Sequence, residues 1–181
     1  TNGKYDAFVF NIETEEIELV SVNSSGIQAN GHSTPTGISE NGRYILFASQ
    51  ADNLDPADVN GAQVSLYIHY RQLNTTTYIS AVTDALPTGG LSLAANVNTS
   101  TISANGKYVV YRHGEHADQD IFLVDVTTKT ATKINQEKYL EPMSPDVSSN
   151  GRFIVYRGLT ATNEITLGDI VLFDRVTSES T

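Results

Sequence analysis

The chain has no cysteine, no tryptophan and one methionine, and its cations are scarce, with 11 Lys plus Arg against 21 Asp plus Glu and a net charge of −10 over 181 residues. Without cysteine there are no disulfide staples, no thiolate metal sites and no cysteine nucleophile. The redox compartment stays open on this count. The few Lys and Arg do not cluster, which excludes a phosphate-binding surface, because nucleic-acid affinity comes from grouped cations displacing counterions. No nucleic-acid partner is expected. No apolar run approaches the ~18 residues of a membrane-spanning helix, so no membrane span is expected either. Helical periodicity of any length is missing as well. The opening Thr1-Asn2-Gly3-Lys4 is neither a start methionine nor a secretory leader, from which we expect a processed or excised chain.

What the sequence has is repetition. Ile38-Ser39-Glu40-Asn41-Gly42-Arg43-Tyr44-Ile45-Leu46-Phe47 aligns with Ile102-Ser103-Ala104-Asn105-Gly106-Lys107-Tyr108-Val109-Val110-Tyr111 and with Val147-Ser148-Ser149-Asn150-Gly151-Arg152-Phe153-Ile154-Val155-Tyr156. Each is a short β-rich stretch, an Asn-Gly pair, a cation and an aromatic-led apolar run. Asn-Gly between such runs reads as a tight hairpin with a type I′ turn, which wants positive φ at both central residues. A second apolar run follows each: Leu66-Tyr67-Ile68-His69-Tyr70, Ile121-Phe122-Leu123-Val124-Asp125 and Ile170-Val171-Leu172-Phe173-Asp174, with Ala7-Phe8-Val9-Phe10-Asn11 ahead of the first hairpin. Turn residues then lead to a Thr-rich or alternating segment. The unit is four strands, the middle two apolar throughout.

A strand covered on both faces shows a continuous apolar run, and one covered on a single face alternates. In a β-propeller each four-stranded blade packs on two neighbours, so its middle strands are buried twice and its outermost strand meets water. The fold expected is therefore all-β, a partial propeller of about three to four antiparallel blades, with a sandwich as the structural alternative. The ranges are a partial blade over 1–30, blades over 31–82 and 83–135, and an incomplete blade over 136–181. The turn glycine recurs at 42, 106 and 151, intervals of 64 and 45; the shorter suits a blade of about 40–45 residues. The longer carries insertions over 50–62 and 83–98. Two, four, four and three strands, thirteen in all, do not close a ring. Open edges and uncovered apolar faces invite association. We expect either a piece of a larger propeller or copies that complete each other as a homo-oligomer.

The hairpins, with Ala51-Asp52-Asn53-Leu54 and Asp58-Val59-Asn60-Gly61 after the first and a strand ending in a Thr-rich turn, resemble the WD40-like "PD" repeat of TolB-like β-propellers of bacterial envelope and secreted proteins. The resemblance covers nearly the whole chain. It departs in having Asn-Gly where the family usually has Asp-Gly, and Val64-Ser65 where the family has a leading Asp, which Asp6, Asp120 and Asp169 keep elsewhere. The resemblance implies a non-catalytic scaffold in the bacterial periplasm or cell exterior, with a protein partner at the propeller loops or channel. Related propellers gate peptidases, so the substrate-gating propeller of a secreted hydrolase is the alternative. No catalytic residue set is carried over.

Searching for chemistry directly finds no Gly-x-Ser-x-Gly elbow, phosphate loop, dinucleotide fingerprint or His-Glu-x-x-His helix. His113-Gly114-Glu115-His116-Ala117-Asp118-Gln119-Asp120 is the richest polar stretch. Imidazoles and carboxylates suit zinc or another borderline metal, although the spacing matches no closed site, and a solvated loop is the plainer reading. His113, His116 and Asp118 are kept as binding candidates, with His32 placed near the channel by its position ahead of a first strand. In Asp52-Asn53-Leu54-Asp55-Pro56-Ala57-Asp58-Val59-Asn60-Gly61, oxygen donors at Asp52, Asp55, Asp58 and Asn60 ahead of a glycine suggest a calcium loop. Pro56 replaces a donor and the closing glutamate is missing, so an Asx-rich turn is the competing reading. His69, inside an apolar run, reads as a packed side chain.

Overall fold

Short β-branched and aromatic runs punctuated by turn residues leave no segment suited to a helix. The computed structural model describes residues 2–59, 61, 63–79, 100–113, 119–135, 139–161 and 166–181, and among these there are strands and no helix. Phe8–Phe10 (β1) and Ile17–Leu19 (β2) form a two-stranded sheet. Ser33–Ile38, Tyr44–Ser49, Ser65–Tyr70 and Thr75–Tyr78 (β3–β6) make the second sheet. Thr101–Ile102, Tyr108–His113, Asp120–Asp125 and Thr130–Lys133 (β7–β10) make the third, and Tyr139–Val147, Phe153–Ala161, Thr166–Asp174 and Glu179–Ser180 (β11–β14) the fourth. Every four-stranded sheet is an antiparallel meander in chain order. The chain is a partial β-propeller.

The last sheet has four strands where the sequence shows three, making fourteen among the described residues. Its fourth strand, β14, lies in Thr177-Ser178-Glu179-Ser180-Thr181, which has no apolar residue to mark it. The backbone does the pairing: Leu172 and Thr181 exchange both N–H···O bonds at 2.9 Å.

The Asn-Gly hairpins also differ from the expected type I′ turn. Gly42, Gly106 and Gly151 have φ of 65°, 72° and 72°, but the asparagines before them are not among the positive-φ residues. Each glycine N–H instead donates to the serine carbonyl three residues back (Gly42 to Ser39, 2.8 Å; Gly106 to Ser103, 2.9 Å; Gly151 to Ser148, 2.8 Å). The loop is an ordinary β-turn followed by a left-handed glycine. Side chains fix it. The Asn41 Oδ1 accepts the Arg43 N–H and the Ser39 hydroxyl, whose oxygen accepts the Tyr44 N–H. Ser103 and Asn105, then Ser148 and Asn150, repeat these bonds. The Asx bonding does the work that a second left-handed residue does in a type I′ turn.

Apolar side chains gather between sheets. Ala7 and Val20 of the first sheet pack with Ile45, Phe47 and Tyr67 of the second. On its other face the second sheet sets Leu46, Leu66 and Ile68 against Val109, Tyr111, Phe122 and Val124 of the third. The third in turn sets Val110, Ile121 and Leu123 against Ile154, Tyr156, Val171 and Phe173 of the fourth. β4, β5, β8 and β9 are buried on both faces as their unbroken apolar runs require, while β10 is largely exposed. The aromatics leading the second strands of the second and third sheets reach the next sheet's turn: a Cβ on Gly106 would sit 2.2 Å from Tyr44 Cδ2, and one on Gly151 1.9 Å from Tyr108 Cδ2. Glycine is required there both by φ and by this approach.

Candidate functional site

First strands gather along one edge of the array. β7 packs against both β3 and β11. The Ser100 hydroxyl donates to Thr36 Oγ1 (2.8 Å) and Thr101 Oγ1 to Asp146 Oδ1 (3.2 Å), tying successive sheets together. Prolines 35, 142 and 145 lie in β3 and β11, which as edge strands do not need their N–H groups for a second ladder. His32 stands immediately before β3. Its Nδ1 accepts the Tyr5 N–H at 3.1 Å and its ring lies 5.0 Å from the Tyr5 ring.

The three Ser-x-Asn-Gly turns form a row. The Glu40 N–H donates to the Ala104 carbonyl (3.1 Å) and the Asn105 N–H to the Ser149 carbonyl (3.4 Å), so each turn is bonded to the next. Glu40, Asn41, Ala104, Asn105, Ser149 and Asn150 line an open groove along this row. The exposed asparagines commit their oxygens to the turns and present their NH₂ groups at the surface. A second cleft lies between the third and fourth sheets, where the Arg175 guanidinium stands 4.3 Å over the Tyr108 ring beside Asp125. The Arg175 Nε donates to the Gly151 carbonyl (2.9 Å), as the Arg71 Nη1 does to that of Gly42 (2.8 Å). Arg71 also reaches back to the first sheet, pairing with Glu18 at 2.5 Å.

His113 closes β8, buried, with its ring 5.9 Å from Phe122 in an edge-on arrangement. His116 and Asp118 lie outside the described residues. Asp120 accepts the Asn135 Nδ2 (2.9 Å) and pairs with Lys133 (2.8 Å), and the Asn135 Oδ1 accepts the Ile121 N–H. Asp6 does the same job in the first sheet, accepting the Ser21 hydroxyl and the Gln28 amide. His69 is buried in β5. Thr76 has one hydroxyl hydrogen, which goes to the Val22 carbonyl, so the His69 Nδ1 donates to Thr76 Oγ1 at 2.9 Å. Burial holds the imidazole below its ordinary value of 6.5, against the opposing pull of Glu18, and nearby Arg71 lowers it further.

The carboxylates of the Asp-rich loop point to separate protein donors. Asp52 accepts Asn30 Nδ2 (2.5 Å). Asp55 takes the Ala57 N–H on one oxygen (2.9 Å) and the Tyr78 N–H on the other (2.8 Å). Asp58, buried, accepts the Tyr67 hydroxyl, which also reaches the Ala51 carbonyl (3.0 Å). Asn60 lies outside the described residues. Among the described residues no three His, Cys, Asp or Glu side chains meet as a metal ion requires. Ala51 and Leu54 of this insertion fill the space between the first two sheets. Burial, and then the Asp58 carboxylate, push the Tyr67 phenol far above its ordinary value. Sequence reading missed this phenol–carboxylate bond, which forms across an irregular insertion, and the Arg71 and Arg175 links, whose partners are distant in sequence.

No family model matches the chain and no curated protein does. Solved structures do. TolB from Acinetobacter baumannii is similar over 96% of this chain and 36% of its own, at 10% identity and a TM-score of 0.56. Oligogalacturonate lyase from Vibrio parahaemolyticus is similar over 97% of this chain and 45% of its own, at 12% identity and a TM-score of 0.56. The β-propeller domain of the Trilobed protease from Pyrococcus furiosus matches 83% of this chain and 41% of its own, at 14% identity and a TM-score of 0.55. At such identities the likeness is one of fold, that of a TolB-like β-propeller. The chain spans between about a third and less than half of the length of these proteins.

Proposed function

We propose that this chain is a non-catalytic propeller scaffold of the bacterial periplasm or cell exterior that binds a protein partner along its turn row. The observation that supports it most is the groove over Glu40, Asn41, Ala104, Asn105, Ser149 and Asn150. Its walls are three copies of one rigid turn, and their outward NH₂ groups suit the carbonyl oxygens of an extended peptide segment. A net charge of −10 favours a neutral or basic partner. Fold alone does not specify function, so the reading rests on this surface. Capture from an envelope or secreted-protein extract tests it: one protein retained at one-to-one stoichiometry, and lost from a Glu40→Lys, Ser149→Arg variant, is the expected result. Retention unchanged by both substitutions contradicts it.

The second reading is the substrate-gating propeller of a secreted hydrolase, favoured by the likeness to the propeller domain of a protease. It requires a hydrolase domain on the same intact polypeptide and a preference for short substrates that disappears when the propeller is removed.

A further inference from the structure

The outward faces of the first and fourth sheets carry apolar side chains at positions that meet in an interface the chain already makes internally. Between the second and third sheets, Leu46, Leu66 and Ile68, with Tyr44, meet Phe122 and Val124, with Val126 and Ala131. By repeat position, Phe153, Val155, Ile170 and Leu172 of the fourth sheet correspond to Tyr44, Leu46, Leu66 and Ile68. They lie on its outward face with exposures of 37%, 39%, 75% and 39%, whereas Leu46, Leu66 and Ile68 are at most 4% exposed. The pairing Val155↔Leu172 sets the same register as Leu46↔Ile68.

The first sheet, two strands where the third has four, carries the part of the other half that β9 and β10 supply, and among the described residues it has no counterpart of Ile102, Val109 and Tyr111. Phe8, Phe10, Ile12 and Ile17 stand at the positions of Phe122, Val124, Val126 and Ala131, the pair Phe10↔Ile17 matching Val124↔Ala131. Their exposures are 54%, 55%, 83% and 69%. Ile12 has no use as a solvated turn residue, but Val126 at its position packs against the same cluster as Tyr44, whose counterpart is Phe153.

We propose that the occupant of the outward face of the fourth sheet is the first sheet of a second copy of this chain, joined head to tail in the register of the internal interface between the second and third sheets. The argument is continuity: the first and fourth sheets carry apolar side chains at the positions that meet in the interface between the second and third, and covering them removes exposed apolar surface from water. Such a junction is heterologous, so it builds rings or open chains of copies rather than a two-fold dimer. It uses the sheet faces and leaves the turn row untouched, so it stands or falls apart from the partner reading.

Sedimentation equilibrium over a concentration series tests it, with Leu172→Asp and Phe10→Asp as blocking variants and circular dichroism as the control for folding. Both positions are at the surface, and Val155→Lys and Phe8→Lys provide a second pair. The wild type is expected to exceed one chain in mass as concentration rises. Each variant alone stays a single chain, and an equimolar mixture of the two recovers a two-chain species and nothing larger. A wild type that remains a single chain throughout overturns the proposal and assigns the faces to other polypeptide. Loss of association by one variant only, or no recovery on mixing, overturns the head-to-tail geometry.

Discussion

Tyr67 shows how a single side chain fixes an inserted loop. Its ring stacks on Phe47 and its one hydroxyl hydrogen goes to the Asp58 carboxylate, with the Ala51 carbonyl 3.0 Å from the same oxygen, so Tyr67→Phe keeps the packing and removes the bond. Chemical denaturation should show a loss of about 1–3 kcal/mol, the cost of depriving the buried Asp58 carboxylate of this donor. The His69 imidazole makes a prediction with pH. Because folding lowers its affinity for a proton, the unfolded chain binds more protons below 6.5, and stability falls as pH drops through that value. His69→Asn keeps a donor toward Thr76 without titrating. The wild type should lose more stability than this variant between pH 7.5 and pH 5; equal losses would remove His69 from the account. In the Asp-rich loop the carboxylates already serve Asn30, Tyr78 and Tyr67, so the melting temperature should be the same in millimolar calcium and in chelator. A rise with calcium would return the loop to the metal reading.

At the scale of elements, the middle strands were legible because burial on two faces leaves an unbroken apolar run, as over Tyr44–Ser49 and Asp120–Asp125. β14 was not, since a two-residue strand on the rim needs only backbone bonds. The turn position was legible from Asn-Gly but its class was not, because the deciding bonds come from Ser39, Ser103 and Ser148. The prolines of β3 and β11 were a signal of edge strands that the sequence offered and that periodicity alone passes over. The glycines separate backbone from packing. Gly42, Gly106 and Gly151 share one conformation, but a Cβ on Gly42 meets nothing closer than Arg71 Nη1 at 3.5 Å. Gly42→Ala should cost about 1 kcal/mol, the left-handed penalty. Gly106→Ala and Gly151→Ala should cost about 1–3 kcal/mol more, through overpacking against Tyr44 and Tyr108. Equal costs at all three positions would mean that the aromatics do not reach the neighbouring turns.

Across the whole molecule, stability comes from three successive sheet-to-sheet clusters with no shared centre. That arrangement was readable in the repeat, and so were uncovered apolar faces on the end sheets, but the unpaired edge expected at Ile170–Asp174 is closed by β14. The candidate site was less readable. Sequence placed chemistry in the histidine and aspartate stretches, whereas the turn row that forms a groove is made of residues whose individual roles are structural, brought together only by the stacking. The stacking is therefore the central claim, and a double-mutant cycle between Tyr44 and Gly106 tests it most directly. Tyr44→Ala, Gly106→Ala and the pair are each measured by denaturant unfolding. Removing the ring opens the space that the new methyl group needs, so the pair should be less destabilised than the sum of the singles, with a coupling of about 1–3 kcal/mol. Additive effects would show that these two residues, in neighbouring sheets, do not touch, and the stacked arrangement would fall with them.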